Sequence, residues 1–371
     1  MIEPLKILNF LRKNKINFFT GVPDSTLKNF TNLLSNNSKI KHYPVYNEGS
    51  AISLAIGHHL ATKNIACVYL QNSGLSNAIN PLISIAHKKV YSIPCLLIIG
   101  WRGSPHKIPD EPQHNIKGKI TRNLLKLLNI KNIILRDSKD LLKLKKLITL
   151  SKKKSQTVAC LIENQTILKG VNFKKKLNTS FNISRKQVLE ELLKKVKKNT
   201  KIISTTGFTS REIYQLRSEK KYLNGKDFYM VGGMGHAGMV SLGVAMNDKS
   251  QVICLDGDGS LLMHLGSLKT QGTFGNKNFK HVLLNNACHE SVGRQRTFVE
   301  KTDFNGLAKI LGYKYIAQVK FEKDLKKKLK SFLKSAGPSF LEIKIKTGTL
   351  DNLVRPRNLL KIKKKFVNLD E

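Results

Sequence analysis

The chain has 371 residues, 40% of them hydrophobic, and its 65 Lys and Arg against 25 Asp and Glu give a formal net charge of +40. This length indicates about two globular domains, and no apolar run approaches the ~20 residues of a transmembrane helix. Five scattered cysteines without a C-x-x-C pair argue against a disulfide framework or a zinc site, and the N-terminus lacks a signal-peptide pattern, so we expect a cytoplasmic protein.

The excess of basic residues is spread along the whole chain rather than gathered in one segment. Lys139–Lys154 and Lys323–Lys334 are predicted to be amphipathic helices with solvated basic faces. Nucleic-acid-binding modules combine such charges with aromatic residues or a groove-reading element, and the sequence shows neither. We therefore expect no nucleic-acid and no membrane partner, while a basic polyanion-binding protein without catalysis stays an alternative.

The first half alternates helix and strand patterns, starting with a helix near Pro4 to Asn14 and including a small-residue helix from Ser50 to Thr62. After the first strand, Ser25 is expected to cap the next helix, and a long polar loop is expected from Trp101 to Gly118. Short β-branched and aromatic runs predict strands at Phe18–Thr20, Tyr43–Tyr46, Ile65–Leu70, Ile93–Ile99 and Val158–Ile162.

The second half repeats this alternation after a polar linker. Ser184-Arg185-Lys186-Gln187 predicts a capping box at the start of a helix. We expect domains at 1–165 and 184–371, joined by the linker 166–183, each an α/β domain with a parallel sheet and helices on both faces. The predicted elements are strands Ile202–Thr205, Val252–Leu255, Val282–Leu284 and Phe340–Ile345, and helices Ala237–Met246 and Leu261–Thr270.

The most informative motif links two of these strands. One strand ends in Asp256-Gly257-Asp258-Gly259-Ser260, and the next strand along the chain ends in Asn285-Asn286. The 25 residues from 260 to 284, between Gly257-Asp258-Gly259 and Asn285-Asn286, fit one crossover helix and a return to the adjacent strand. A carboxylate and an amide oxygen at two neighbouring strand ends form the type of ligand set that Mg²⁺ prefers.

This pairing resembles the motif of thiamine diphosphate enzymes. The resemblance implies that Asp258, Asn286 and the main-chain carbonyl of Cys288 bind Mg²⁺, and that the cofactor contacts Gly257-Asp258-Gly259-Ser260. It also implies that Met234, between Gly233 and Gly235, wedges the cofactor into a bent shape.

The same family requires a glutamate after an early strand, and Asn47-Glu48-Gly49 fits that position. The resemblance implies that Glu48 hydrogen-bonds the pyrimidine ring of the cofactor and favours the tautomer that activates the thiazolium carbon. It implies two doubly wound parallel-sheet domains of the thiamine diphosphate-binding fold, the pyrimidine-type domain followed by the diphosphate-type domain, without a middle domain. It further implies a homo-oligomer with active sites at subunit interfaces.

The short two-domain layout narrows the resemblance to the phosphonopyruvate decarboxylases. Segments that carry it include Gly21-Val22-Pro23-Asp24-Ser25 and His289-Glu290-Ser291-Val292-Gly293. The implied reaction is decarboxylation of 3-phosphonopyruvate to phosphonoacetaldehyde in phosphonate biosynthesis. Because the substrate is a small anion, its site should contain cations and hydrogen-bond donors. The candidates are Ser25, Arg102, Gln113 and His236 for binding substrate, and His114 and His289 for moving protons.

The sequence departs from this family after the second Asn of the motif. Ala287 stands where glycine is common, and Arg294 and Arg296 add positive charge to a segment that reads Gly-Gly-Gln-Pro-Thr in relatives. These changes leave the choice of anion open. Sulfopyruvate decarboxylation, or that of another small anionic 2-oxo acid, is therefore the nearest alternative, and a relic that binds the cofactor without catalysis is a more distant one.

Overall fold

A computed structural model describes residues 1–106, 110–169, 181–219 and 222–368. The chain divides into two compact units, Met1–Lys176 with Val292–Gln295, and Leu177–Ser291 with Arg296–Glu371. Residues 170–180 of the predicted linker and Pro109 of the predicted loop lie outside the described residues, and the predicted boundaries at 165 and 184 stay predictions. None of the helices in the described ranges has the length and apolar character to cross a bilayer.

The first unit contains a six-stranded sheet in which all pairs of neighbouring strands are parallel, in the order β2-β1-β3-β4-β6-β5. Its strands are β1 (Phe18–Gly21), β2 (Lys41–Pro44), β3 (Ala66–Gln71), β4 (Cys95–Trp101), β5 (Lys131–Leu135) and β6 (Val158–Glu163). Its helices are α1 (Pro4–Lys13), α2 (Lys28–Ser35), α3 (Glu48–Thr62), α4 (Leu75–Pro81), α5 (Pro112–Leu127) and α6 (Leu141–Lys154).

The burial of these strands matches their positions in the sheet. All seven residues of β4 and all six of β6 are buried, which is typical of central parallel strands covered by helices on both faces. The edge strands β2 and β5 each keep an exposed lysine at their first position. Separate apolar clusters cover the two faces of the sheet, one around Phe19 and Leu96 and the other around Ile52 and Leu97.

The second unit repeats the plan, with parallel pairs in the order β13-β14-β10-β9-β7-β8. Its strands are β7 (Lys201–Ser204), β8 (Lys226–Tyr229), β9 (Val252–Gly257), β10 (Phe279–Asn285), β13 (Tyr315–Val319) and β14 (Ser339–Lys344), with a small separate pair, β11 (Cys288–His289) and β12 (Gln295–Arg296). Its helices are α7 (Arg185–Leu193), α8 (Phe208–Ser218), α9 (Ala237–Asn247), α10 (Asp258–Met263), α11 (Ser267–Phe274), α12 (Phe304–Ile310), α13 (Glu322–Lys334) and α14 (Leu359–Phe366).

The two sheets confirm the predicted α/β fold class. The capping box is also present, since Ser184 and Gln187 exchange side-chain and backbone hydrogen bonds at the start of α7. The predicted cap at Ser25 is wrong, because the carboxylate of Asp24 accepts from the backbone N–H of Leu27 at 2.8 Å, and α2 begins only at Lys28.

Two further predictions need correction. The expected loop from Trp101 to Gly118 ends early, because α5 begins at Pro112 and runs to Leu127. The expected helix Leu261–Thr270 is two helices, with a break at residues 264–266, because α10 already starts at Asp258 and Gly266 precedes α11. The edge strands β5, β8 and β13 were not predicted, since each is short and only partly buried.

Candidate functional site

The two strand ends of the predicted metal motif lie side by side. β9 and β10 are parallel neighbours, with Leu284 in register with Gly257. Asp258, the first residue of α10, and Asn286, the residue after β10, therefore meet at the carboxyl edge of the second sheet. The structure confirms the predicted adjacency of these strands.

Asp258 is a buried carboxylate held by two donors. The hydroxyl of Thr297 and the backbone N–H of Asn286 both hydrogen-bond to it. Burial nevertheless raises the pKa of Asp258 to about 7, because these donors do not replace the lost hydration. A cation at this carboxylate would favour its charged form, so the site has the electrostatic character of a metal ligand.

The side-chain amide of Asn286 has a fixed orientation. Its Nδ2 donates to a carboxylate oxygen of Glu290 at 3.0 Å, and its Oδ1 accepts from the backbone N–H of Cys288 at 3.2 Å. Ala287 between them has a φ of +56°, a left-handed conformation that glycine adopts more readily than alanine. The turn therefore holds the amide oxygen of Asn286 against the backbone of Cys288.

Glu290 is held in turn by a buried ion pair. Nη2 of Arg185 lies 2.6 Å from Glu290, and Nη1 of the same guanidinium lies 3.0 Å from Glu212. All three side chains are almost inaccessible to solvent, so one buried guanidinium serves two buried carboxylates, and burial raises the pKa of Glu212. Sequence reasoning missed Arg185, because 105 residues separate it from Glu290 and no local pattern marks the contact.

The segment Gly233-Met234-Gly235 lies between β8 and α9. Both glycines have a positive φ, +66° and +86°, and the side chain of Met234 is half-buried. The hydroxyl of Ser260 accepts from the backbone N–H of Gly235 at 3.0 Å and lies 2.8 Å from the hydroxyl of Thr205. Ser260 therefore ties the predicted wedge segment to the end of β7 and to the Asp258 turn.

His289 packs directly against Gly259, where a side chain on Gly259 would overlap the imidazole ring. Burial lowers the pKa of His289 to about 4, so the ring is neutral near pH 7. His236, another predicted site residue, is exposed and stacks on His264, with ring centroids 4.5 Å apart.

In the first unit, Glu48 is the first residue of α3, and Asn47 caps that helix by accepting from Gly49. Its carboxylate is buried, accepts from Nδ2 of Asn77 at 2.8 Å and lies against the backbone of Gly74. Burial raises the pKa of Glu48, which the hydrogen bond from Asn77 partly opposes. A raised pKa means that this carboxyl keeps its proton to a higher pH than an exposed glutamate does.

The predicted anion-binding residues of this unit already have partners in the chain. Arg102 forms a bidentate pair with Asp110, at 2.9 and 2.7 Å, and Nε2 of Gln113 donates to Glu111 at 2.6 Å. Burial and the charge of Arg102 lower the pKa of His114 to about 4. Ser25 is half-buried.

Asp24, next to Ser25, is a buried carboxyl group that sequence reasoning did not select. Its side chain is fully buried, and within the described residues its Oδ1 has no hydrogen-bond partner. Burial raises the pKa of Asp24 to about 6, while the charge of Arg102 acts in the opposite direction. Its place in the turn after β1 was visible in the sequence, but its burial was not.

The described residues fit a diphosphate-bearing cofactor with a hard divalent ion. Asp258, Asn286 and the carbonyl of Cys288 are oxygen donors at one turn, and a side chain on Gly257 would meet nothing within 4 Å, which leaves room beside them. The fold and this site therefore define a class of protein, the enzymes that bind thiamine diphosphate.

Comparison with known proteins supports the same class of enzyme. Residues 6–121 match the family model of the thiamine pyrophosphate enzyme N-terminal TPP binding domain, and residues 203–343 match the corresponding C-terminal TPP binding domain. A phosphonopyruvate decarboxylase of Streptomyces viridochromogenes is 33% identical over 91% of this chain and 87% of its own length. A second, from Streptomyces hygroscopicus, is 32% identical over 96% of this chain and 91% of its own length.

A more distant relative is the sulfopyruvate decarboxylase subunit beta of Methanothermobacter thermautotrophicus, 36% identical over 40% of this chain and 76% of its own length. The chain belongs to the phosphonopyruvate decarboxylase family of thiamine pyrophosphate enzymes. It is thus a carboxy-lyase. The two non-enzymatic alternatives, a polyanion-binding protein and a cofactor-binding relic, are no longer required to explain the sequence.

Proposed function

We propose that the enzyme decarboxylates 3-phosphonopyruvate to phosphonoacetaldehyde and carbon dioxide in phosphonate biosynthesis. The observation that carries this proposal is similarity over nearly the whole chain to two proteins named phosphonopyruvate decarboxylase. Sulfopyruvate is the second candidate, because a sulfopyruvate decarboxylase subunit matches part of the chain at slightly higher identity. Five buried free cysteines suit the reducing cytoplasm, where we place the enzyme.

Mg²⁺ would be held by the carboxylate of Asp258, the amide oxygen of Asn286 and the carbonyl of Cys288. Residues 257–260 would surround the diphosphate, and Met234 would support the bent cofactor. When bound, thiamine diphosphate supplies the electron sink for the pair of electrons released with carbon dioxide. The raised pKa of the Glu48 carboxyl supports its proposed role of holding a proton at N1′ of the pyrimidine ring.

The anion of the substrate would be recognised by Ser25, Arg102, Gln113 and His236, with His114 and His289 accepting and returning protons. Arg102 is paired with Asp110 in the structure, so binding of a dianion there would compete with that carboxylate for the guanidinium. The pKa of each of these two histidines is lowered to about 4, so near pH 7 both rings are neutral and neither is a fixed cation for the substrate anion.

We propose further that the active enzyme is a homo-oligomer. Two helices that start beside site residues carry apolar or small residues on their exposed sides, which a monomer would leave in water. On α3 these are Leu54, Gly57 and Leu60, and on α9 they are Met239, Gly243 and Met246. Helices of this composition indicate a partner surface, and a second copy of the chain is the partner that the family resemblance implies.

The substrate is tested by competition. The enzyme with thiamine diphosphate and Mg²⁺ would receive equal concentrations of phosphonopyruvate and sulfopyruvate, and the two aldehyde products would be separated and measured. We expect phosphonoacetaldehyde to predominate, whereas predominance of sulfoacetaldehyde would transfer the assignment to the second candidate. Glu48→Gln should abolish release of carbon dioxide from either acid while cofactor binding, measured by calorimetry, is retained.

Shared active sites are tested by mixing two inactive variants, Glu48→Gln and Asp258→Asn. If one subunit supplies Glu48 and its partner supplies Asp258, a mixed dimer contains one intact site, and activity returns on mixing. If a single subunit supplies both residues, every site in the mixture carries a defect and no activity returns. Each variant mixed with itself is the control.

A further inference from the structure

A second cluster of metal-ligating side chains lies below the carboxyl edge of the second sheet. Cys254 and Asp256 are two residues apart on β9, so they project from the same face, and His281 of β10 is in register with Cys254. The sulfur of Cys254, a carboxylate oxygen of Asp256 and a ring nitrogen of His281 lie within 4.8 Å of one another. All three side chains are buried, with at most 2% exposure.

The hydrogen bonds around His281 determine which of its ring nitrogens carries a proton. The hydroxyl of Tyr313 donates to Oε1 of Gln271 at 2.7 Å, so its oxygen is the acceptor in the 3.0 Å contact with Nδ1 of His281. Nδ1 therefore carries a proton, and in the neutral form of the ring the lone pair is on Nε2. Within the described residues this buried Nε2 has no hydrogen-bond partner.

Nε2 of His281 faces a carboxylate oxygen of Asp256. It lies 3.6 Å from Oδ2 of Asp256, beyond the 2.7–2.9 Å typical of an ionic hydrogen bond. The other oxygen of Asp256 accepts from the backbone N–H of Gly257 at 2.9 Å, which leaves Oδ2 for the cluster. A carboxylate and the lone pair of a neutral imidazole at this distance in a dry interior repel each other, and a cation bound by both groups would remove that repulsion.

We propose that Cys254, Asp256 and His281 bind a structural zinc ion within the second unit, separate from the Mg²⁺ and thiamine diphosphate of the active site. Thiolate, imidazole and carboxylate are the three ligand types that proteins use for zinc, and a thiolate disfavours Mg²⁺ and Ca²⁺. Tyr313 and Gln271 would be the outer groups that orient the histidine, as partners of metal-bound histidines do in general.

The absence of a C-x-x-C pair argued against a zinc site at the level of the sequence. That argument applies to sites in which one turn supplies two ligands. Here two neighbouring strands supply the ligands. The closeness of His281 to Cys254 is evident only from the register of β9 and β10. Because the ligands are buried, the ion would enter during folding and exchange slowly. It should therefore survive a chelator treatment that removes Mg²⁺ from the active site.

The first measurement uses the full-length wild-type enzyme. After expression with zinc in the medium and dialysis against a chelator, elemental analysis should give one zinc per subunit. X-ray absorption at the zinc edge should show one sulfur neighbour at about 2.3 Å and lighter neighbours at about 2.0–2.2 Å. Protein expressed with Co²⁺ in place of zinc should show thiolate-to-cobalt charge-transfer absorption.

Variants assign the sulfur. Cys254→Ser should lose the sulfur neighbour and the cobalt charge-transfer band. Cys160 is also buried but belongs to the first unit, so Cys160→Ser should keep both signals. Cys288→Ser should also keep both, which excludes zinc in place of Mg²⁺ at the active site. If Cys254→Ser does not fold, His281→Gln is used instead. This variant should retain no zinc after dialysis, and the spectra of the wild-type enzyme then show that the ion has a sulfur ligand.

Two outcomes would overturn the proposal. Wild-type enzyme that retains no zinc and shows no thiolate-to-cobalt band would mean that Asp256 and His281 form a buried imidazolium–carboxylate pair instead. Retained zinc that is lost in Cys288→Ser but kept in Cys254→Ser would place the ion at the active site.

Discussion

At the scale of single residues, the catalytic candidate Glu48 depends on two neighbours that no motif predicts. Asn77 donates to one oxygen of its carboxylate, and Gly74 leaves the space that the other oxygen occupies, since a side chain there would overlap it. The carboxylate therefore has one position rather than several. Asn77 is a positioning residue, because it acts on the cofactor only through Glu48.

Asn77→Ala is expected to lower kcat by about 10- to 100-fold while the affinity for thiamine diphosphate changes little, because the proton-holding group loses its orientation. The measurement is a steady-state titration with cofactor and substrate. Asn80→Ala is the matched control, since Asn80 is exposed on the same helix and its side chain only accepts from Ser84. Equal effects of the two substitutions would contradict the positioning role.

Asp24 gives a prediction for the dependence of stability on pH. Its pKa is about 6 in the folded chain against an ordinary value of 3.8, so between these values the folded state keeps a proton that the unfolded state has lost. The contribution of Asp24 to stability is therefore greatest at low pH and is lost as the pH rises toward 6. The amount is on the order of 3 kcal/mol.

Asp24→Asn should remove this dependence and raise the free energy of unfolding at pH 7 by up to about 3 kcal/mol. Urea unfolding of the cofactor-free enzyme at several pH values between 4 and 7 measures it. Asp351→Asn, at an exposed position, should leave the profile of the wild-type enzyme unchanged. A variant profile parallel to that of the wild type would show that Asp24 does not carry a raised pKa.

The sequence predicts site residues that belong to local motifs and misses those that reach them from elsewhere. Asp258 and Asn286 follow strands that the sequence identifies, and Glu48 stands in a short recognisable segment. Thr297, which donates to Asp258, and Arg185, which pairs with Glu290, come from distant parts of the chain. Their roles depend on tertiary contacts, for which one sequence carries no local signal.

At the scale of elements, α5 shows why hydrophobic periodicity can fail. Its buried positions are His114, Gly118, Thr121 and Leu125, which have helical spacing but are mostly small or polar. Gly118 packs on the backbone of Gly103, and its carbonyl accepts from Nε1 of Trp101 at 2.9 Å. The helix is therefore stabilised by close backbone contact rather than by an apolar stripe, and its sequence looks like a loop.

Gly118→Ala should destabilise the enzyme by about 3 kcal/mol, because the added methyl group would overlap the backbone of Gly103 and force the helix outward. Thermal and urea unfolding measure the change. Lys119→Ala is the control, since Lys119 is the next residue of the helix and is exposed, and it should change stability by less than about 0.5 kcal/mol. A neutral Gly118→Ala would mean that α5 does not approach Gly103 closely.

At the scale of the whole molecule, the chain has a formal net charge of +40, whereas α3 and α9 contain no lysine or arginine and carry exposed apolar residues. Leu60 is 68% exposed on α3, and Leu142 is 71% exposed on α6, where its neighbours along the helix are largely lysines. The two leucines are equally accessible in the single chain. In an oligomer their burial would differ, because Leu60 would be buried if α3 faces a partner and Leu142 would stay exposed.

Leu60→Lys should therefore dissociate the oligomer and reduce activity, since the interface would bury an unpaired charge. Leu142→Lys should leave both unchanged. Sedimentation velocity gives the oligomeric state, and circular dichroism shows that both variants are folded. An intact oligomer in Leu60→Lys would exclude this face of α3 from the interface.

The number of α/β units and the parallel sheets follow from the sequence, because strand–helix alternation is a repeated local signal. The positions of the edge strands do not, since β5, β8 and β13 are short and partly exposed. The order of the strands in each sheet could likewise be determined only from the structure. The adjacency of β9 and β10 was predictable only because both ends of that pair carry chemistry.

Each of the two units has its own complete sheet with apolar clusters on both faces, and neither sheet borrows a strand from the other. A gene that encodes such a chain can be split between the units, or two genes can be joined, without interrupting a core. Relatives named as separate alpha and beta subunits of sulfopyruvate decarboxylase show that evolution has used this freedom. In such a family, gene architecture is a poor guide to the anion that is recognised.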